Sequence, residues 1–132
     1  MSSGKWLNNS AASCGVFLSH QGIKIANSLF EEIEKKFKKE ALKIFELIET
    51  LKENPKKGKL LGNIGGIVIK ELKYKSFRFY FLTDGFKLKC IGQEQITDLL
   101  FRFVRMSDKK HQQKTIDEIR NILLKIGAKG FD

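Results

Sequence analysis

Proline is nearly missing from this chain, and cysteine, tryptophan and histidine are scarce: one Pro, two Cys, one Trp and two His among 132 residues. A single proline with 11 glycines excludes a collagen-like repeat and a Pro-rich flexible chain. Cys14 and Cys90 have no CxxC spacing and no histidine at ligand distance, so neither a disulfide framework nor a zinc site is signalled, and both read as reduced thiols. No metal and no cofactor is expected. Long apolar runs are absent too. Val16–Leu18 is too short for the core of a secretion signal, let alone a membrane span, so a soluble, cytoplasmic protein without membrane contact is expected.

Acidic residues are also in deficit, and unevenly so. Residues 1–55 hold eight Lys against seven Glu, a net of +1, whereas residues 56–132 hold thirteen Lys and four Arg against eight acids, a net of +9. Clustered Lys and Arg release counterions from nucleic acid and steer its approach, so the basic half points to a polyanion, with RNA the leading partner. The alternative is a merely solvated basic surface. The 42% apolar content with eleven Phe suffices for one core, and the length is too small for two ordinary domains. We expect a flexible N-terminal tail over 1–15, one domain over 16–127 and a C-terminal tail over 128–132.

Periodicity orders the elements. Val16–Ser19 reads as a short first strand, and from Ile23 onward Ile25, Leu29, Ile33 and Phe37 are spaced for one helical face. Ala41, Ile44, Phe45, Ile48 and Leu51 make a second face, and the lysines at 35, 36, 38 and 39 mark either a break between two antiparallel helices or a bend in one long helix. Asn54-Pro55 stops the helix, and KKGKLLGNIGG reads as a turn-rich linker; its glycines lack the GK[ST] ending of a phosphate-binding loop.

Beyond Ile67 the period becomes two. Ile67, Ile69 and Glu71 alternate with Val68, Lys70 and Leu72, and Phe77, Phe79 and Phe81 alternate with Arg78, Tyr80 and Leu82. Asp84-Gly85 reads as a hairpin turn into a further strand carrying Phe86, Leu88 and Cys90. Thr97–Met106 is the last strand, with Phe101 and Phe103 on one face, Arg102 and Val104 on the other, and Arg105 back on the Phe side by parity. SDKKHQQK forms a basic loop, and Thr115 with Glu118 makes a capping box for a final helix carrying Ile116, Ile119, Leu123 and Ile126. The expected fold is α+β: a small antiparallel, mixed-edge sheet with two N-terminal helices on one face, a short C-terminal helix, and the other face available.

The segments IKELKY (69–74), FRFYFLTDG (77–85) and LLFRFVRMSDKKHQQKTIDEI (99–119) resemble, in order, the successive motifs of RelE/HigB-type toxins, in particular the phage-derived branch. The resemblance covers roughly residues 16–120; the longer stretch around Gly92–Thr97 and the N-terminal tail depart from it. It implies a RelE-like fold and a metal-independent mRNA interferase. Such an enzyme cuts ribosome-bound mRNA by attack of a 2′-hydroxyl and is neutralised by a small cognate antitoxin, as a monomer or a toxin–antitoxin hetero-oligomer.

By motif match, Arg78 is the strand arginine that would stabilise phosphate charge. Lys73 stands where the family usually has Arg, which loses a bidentate fork, and Lys109 and Lys110 match a Lys pair. His111, whose ordinary pKa is nearest neutrality, is the candidate acid or base. Arg78, His111, Lys73 and Lys110 are therefore the candidate catalytic set, and Lys70, Arg102, Arg105, Lys109 and Lys114 the candidate RNA contacts. Tyr74 and Tyr80 read as edge-of-core residues, and His20 as structural or exposed. Two other functions fit the same residues: a non-catalytic nucleic-acid- or protein-binding module, and a gyrase-directed toxin.

Overall fold

The computed structural model describes residues 21–90 and 99–131. Its order is β1 (Gln21–Ile25), α1 (Asn27–Phe37), a 3-10 turn (Lys38–Glu40), α2 (Ala41–Glu49), a 3-10 turn (Thr50–Lys52), β2 (Lys59–Ile64), β3 (Ile67–Tyr74), β4 (Phe77–Asp84), α3 (Gly85–Cys90), β5 (Leu99–Asp108), α4 (Gln112–Lys125) and a final 3-10 turn (Ala128–Phe131). The five strands form one mixed sheet in the order β1-β5-β4-β3-β2, antiparallel except for the parallel β1–β5 edge. The α+β class with helices on a mixed sheet is as the sequence implies. Among the described residues no helix is long and apolar enough to cross a membrane.

Parity explains the layering. Leu72, Phe79, Phe81, Phe101 and Phe103 project from one side of the sheet and pack against Leu29, Ile33, Ile44 and Ile48 of α1 and α2. Ile69, Tyr80, Leu82 and Val104 project from the other side and pack against Ile116, Ile119 and Leu123 of α4. The second face is thus covered by the C-terminal helix over much of its length and is not left available. β3 and β4 are buried on both faces along most of their length.

Several local expectations are corrected. The described chain enters on a strand, where Ile23 and Ile25 alternate with exposed Lys24 and pair with β5, so helical periodicity starts only at Asn27. The expected Val16–Ser19 strand lies outside the described residues. The lysine-rich patch is a break: Phe30 stacks on Phe45 at 4.9 Å, so α2 runs back along α1 after the Lys38–Glu40 turn. The supposed linker holds β2, because Gly65 and Gly66, both at positive φ, make the two-residue turn that pairs Ile64 with Ile67. Asp84-Gly85 begins a helix instead of a hairpin. The Asp84 carboxylate accepts the Lys87 N–H at 2.9 Å, capping α3, and Phe86 is left 75% exposed.

At the C-terminus, α4 begins three residues before the expected cap. Asp108 Oδ1 accepts the His111 N–H at 2.8 Å, which opens the helix ahead of Thr115. Ile126 falls beyond the helix and is 67% exposed, while Gly127 at φ 95 turns the chain back so that Phe131 joins the α4-side core. Residues 128–131 are therefore packed structure.

Gly58 joins the helical half to β2. It sits at φ 105, and a Cβ there would lie 3.1 Å from the Glu71 carbonyl oxygen and 3.1 Å from the Phe81 ring. Gly58→Ala is expected to destabilise the fold by about 1–3 kcal/mol, read as a lower urea midpoint with an unchanged slope.

Candidate active site

Strand register assembles the site. Lys73 pairs with Arg78 and Arg78 with Ser107, one row across three strands; Glu71 pairs with Tyr80 and Tyr80 with Arg105, the next row. Directly opposed residues share a face at roughly 4.5–5.5 Å between Cβ atoms. Tyr80 belongs to the α4-side core, so both rows lie on that face, at the end of the sheet where α4 begins. Three cations, one carboxylate and two hydroxyls converge there.

The groups are unequally satisfied. Arg78 is only 8% exposed; its Nη1 donates to the Ser76 carbonyl at 3.1 Å, while its Nε is buried without a hydrogen-bond partner. Glu71 is 7% exposed, and its Oε1 is likewise buried and unpartnered. Leaving such a group unpaired costs about 1–3 kcal/mol, so two on adjacent rows are held against their own desolvation. Tyr80 is fully buried and shares a 2.7 Å hydrogen bond with Ser107 Oγ. Burial pushes the Tyr80 phenol above its ordinary pKa; the Ser107 hydrogen bond and the Arg78 charge pull it down, and the Glu71 and Asp108 charges push it up. It is therefore a neutral hydroxyl at physiological pH, lying within the field of Glu71, Arg78 and Asp108.

His111 borders this end on an exposed turn. Asp108 Oδ1 lies 2.8 Å from His111 Nδ1 as well as accepting the His111 N–H. Those bonds hold the Asp108 carboxyl below its usual range. With Nδ1 engaged, Nε2 is the nitrogen left to exchange a proton with a ligand. Lys109 and Lys110 are exposed in the same turn, and Lys114 is exposed on the first turn of α4.

Two sequence candidates, Lys70 and Arg102, lie apart. Lys70 stands on the α1–α2 face, 5% exposed, with Nζ donating to the Lys56 carbonyl at 3.0 Å and burial lowering its pKa. Arg102 is opposite Leu82, toward the far end of the sheet, beside Thr83, Asp84 and Leu100. Arg105 is not on the Phe side. A bulge opposite Tyr80 and Phe81 adds one residue to β5 and reverses the parity, bringing Arg105 to the α4 face with Arg102. There it reaches Glu118 at 3.4 Å, donates to the Val104 carbonyl at 2.8 Å and lies 5.2 Å from the Phe131 ring.

Comparison with protein-family models, with curated proteins and with solved structures finds no match to this chain. Sequence reasoning selected Arg78, Lys73 and His111 but missed Glu71, Ser107 and Asp108, and treated Tyr80 as mere packing. A glutamate in a strand with buried neighbours on both sides was the one visible signal for Glu71. The arrangement offers what phosphodiester chemistry asks for: an arginine for developing anionic charge, a carboxylate to accept a proton, and an imidazole to deliver one. Among the described residues no three His, Cys, Asp or Glu side chains are grouped to hold a metal ion.

Proposed function

We propose that this protein is a metal-independent endoribonuclease of the RelE/HigB-toxin type, cutting mRNA on the ribosome in the cytoplasm and neutralised by a small cognate antitoxin. The observation that carries the reading is the row across three strands that sets Arg78 between Lys73 and Ser107, with Glu71 and Tyr80 on the next row of the same face. An arginine and a lysine side by side suit the oxygens of a phosphate, and a carboxylate suits a hydroxyl.

In this mechanism Glu71 takes the proton from the 2′-hydroxyl as its oxygen attacks the adjacent phosphorus. Arg78, with Lys73 at the open end of its row, balances the charge that builds on the non-bridging oxygens. The bond to the 5′-oxygen breaks, and His111 Nε2 supplies that leaving oxygen with a proton, giving a 2′,3′-cyclic phosphate and a free 5′-hydroxyl. Lys109, Lys110 and Lys114 attract the neighbouring phosphates. A second reading, a binding module that cuts nothing, is favoured by Lys73, which as a point charge cannot grip phosphate as a bidentate arginine does.

Inducible expression of the wild type and of Arg78→Ala in bacteria, with growth and primer extension followed together, separates these. Growth arrest with new cuts in a translated transcript, both abolished in a soluble, folded Arg78→Ala, is the expected result. Arrest without cuts points to a protein target, and no effect at verified soluble levels leaves the binding module.

A further inference from the structure

One end of the molecule carries a second concentration of charge that the cleavage chemistry does not use. The Lys38–Glu40 turn between α1 and α2 meets the β3–β4 turn: Glu40 accepts from Tyr74 Oη at 3.3 Å and from Lys75 Nζ at 3.0 Å. Beneath the junction the Phe37 ring packs on Tyr74, Phe77 and Phe79, with centroids 5.1–6.2 Å away. The two turns are therefore joined into one projection. The acid of the 3-10 turn, Glu40, is engaged by Lys75, while Lys38 and Lys39 are exposed and Lys36 lies over the Phe77 ring at 5.2 Å.

The backbone at this tip is strained at two lysines. Lys38 has φ 50 and ψ −111, a region that suits glycine and disfavours any residue with a Cβ, and Lys75 has φ 55. Among the described residues these are the two non-glycine positions at positive φ, and both are lysines on the same projection. A glycine at position 38 would relieve that strain. The projection adjoins the candidate active site, because Arg78 Nη1 is bonded to Ser76 of the same β3–β4 turn.

We infer that the joined Lys38–Glu40 and β3–β4 turns form a second phosphate-backbone surface, one that holds structured RNA beside the segment occupying the Arg78 site. The choice of RNA over another polyanion rests on the function proposed above. The interaction is electrostatic and sequence-independent, with Lys36, Lys38 and Lys39 as its charges.

The test is Lys38→Gly/Lys39→Gln, which removes two charges and relieves the strained turn, measured against Arg78→Ala by salt-dependent binding to an RNA hairpin of arbitrary sequence. The double variant is expected to be at least as stable as the wild type and to bind at least about 10-fold more weakly at low salt. Its log–log salt slope should be shallower by roughly 1.4–1.8, because each phosphate that is no longer neutralised removes about 0.7–0.9 from the slope. Arg78→Ala should keep the wild-type slope to within about 1. Unchanged affinity and slope in the double variant would overturn the inference whether or not the protein cleaves RNA. Binding to phosphatidylserine vesicles but not to the hairpin would overturn it in favour of a membrane surface.

Discussion

Arg78→Lys is expected to lower the proposed cleavage of ribosome-bound mRNA by about 10²–10³-fold while leaving the protein folded, the effect of removing one oriented donor to developing oxyanion charge. Lysine keeps the charge but not the planar fork of donors that can hold two phosphate oxygens at once. Circular dichroism and the urea midpoint check the fold, and primer extension on programmed ribosomes reads the rate. If Arg78 merely braced the β3–β4 turn through Ser76, Arg78→Lys would change stability and leave the cutting rate of the folded fraction intact. Equal rates per folded molecule would remove Arg78 from the chemistry.

The largest effect on stability belongs to the opposite face. Phe81 is fully buried, stacked on Phe103 at 4.7 Å and edge-on to Phe101 at 5.8 Å. Phe81→Ala would open a cavity at the centre of the α1–α2 core, at a cost of about 3–5 kcal/mol. Against a typical total of about 5–15 kcal/mol, that is enough to populate the unfolded state at growth temperature. Chemical denaturation should show a midpoint shift with little change in slope. Phe86→Ala serves as the control: that ring is exposed, and its removal should move the midpoint hardly at all.

The two faces explain how far the sequence could be read. The Phe77-Phe79-Phe81 alternation identified β4 and assigned Arg78 and Tyr80 to one side of it, because strand parity is a local property of the backbone. The same reasoning misplaced Arg105. One extra residue in β5 shifts its register against β4, and a bulge is decided by what the neighbouring strand presents. Asp84-Gly85 failed for a related reason. The dipeptide suits a hairpin and a helix cap equally well, and the Asp84–Lys87 bond selects the cap. Arg78 and His111 stood out as residue types in a family-like motif, whereas Glu71 showed only as a glutamate within an apolar strand and Ser107 not at all. Each becomes part of a site only by standing one strand away from its partner.

By itself, the sequence determined the α+β class, the amphipathic helical character of the N-terminal half, the strand character of residues 67–82 and the basic bias of the second half. These depend on side-chain periodicity and composition, which act over a few residues. The tertiary structure decided that α4 covers the second face, that β1 closes the sheet in parallel, and that Glu71, Arg78, Tyr80 and Ser107 meet on adjacent rows. It also joined Glu40 to Tyr74 and Lys75 across more than thirty residues of chain. Those outcomes follow from cross-strand register and from burying two apolar surfaces at once, and neither is set by neighbours in sequence.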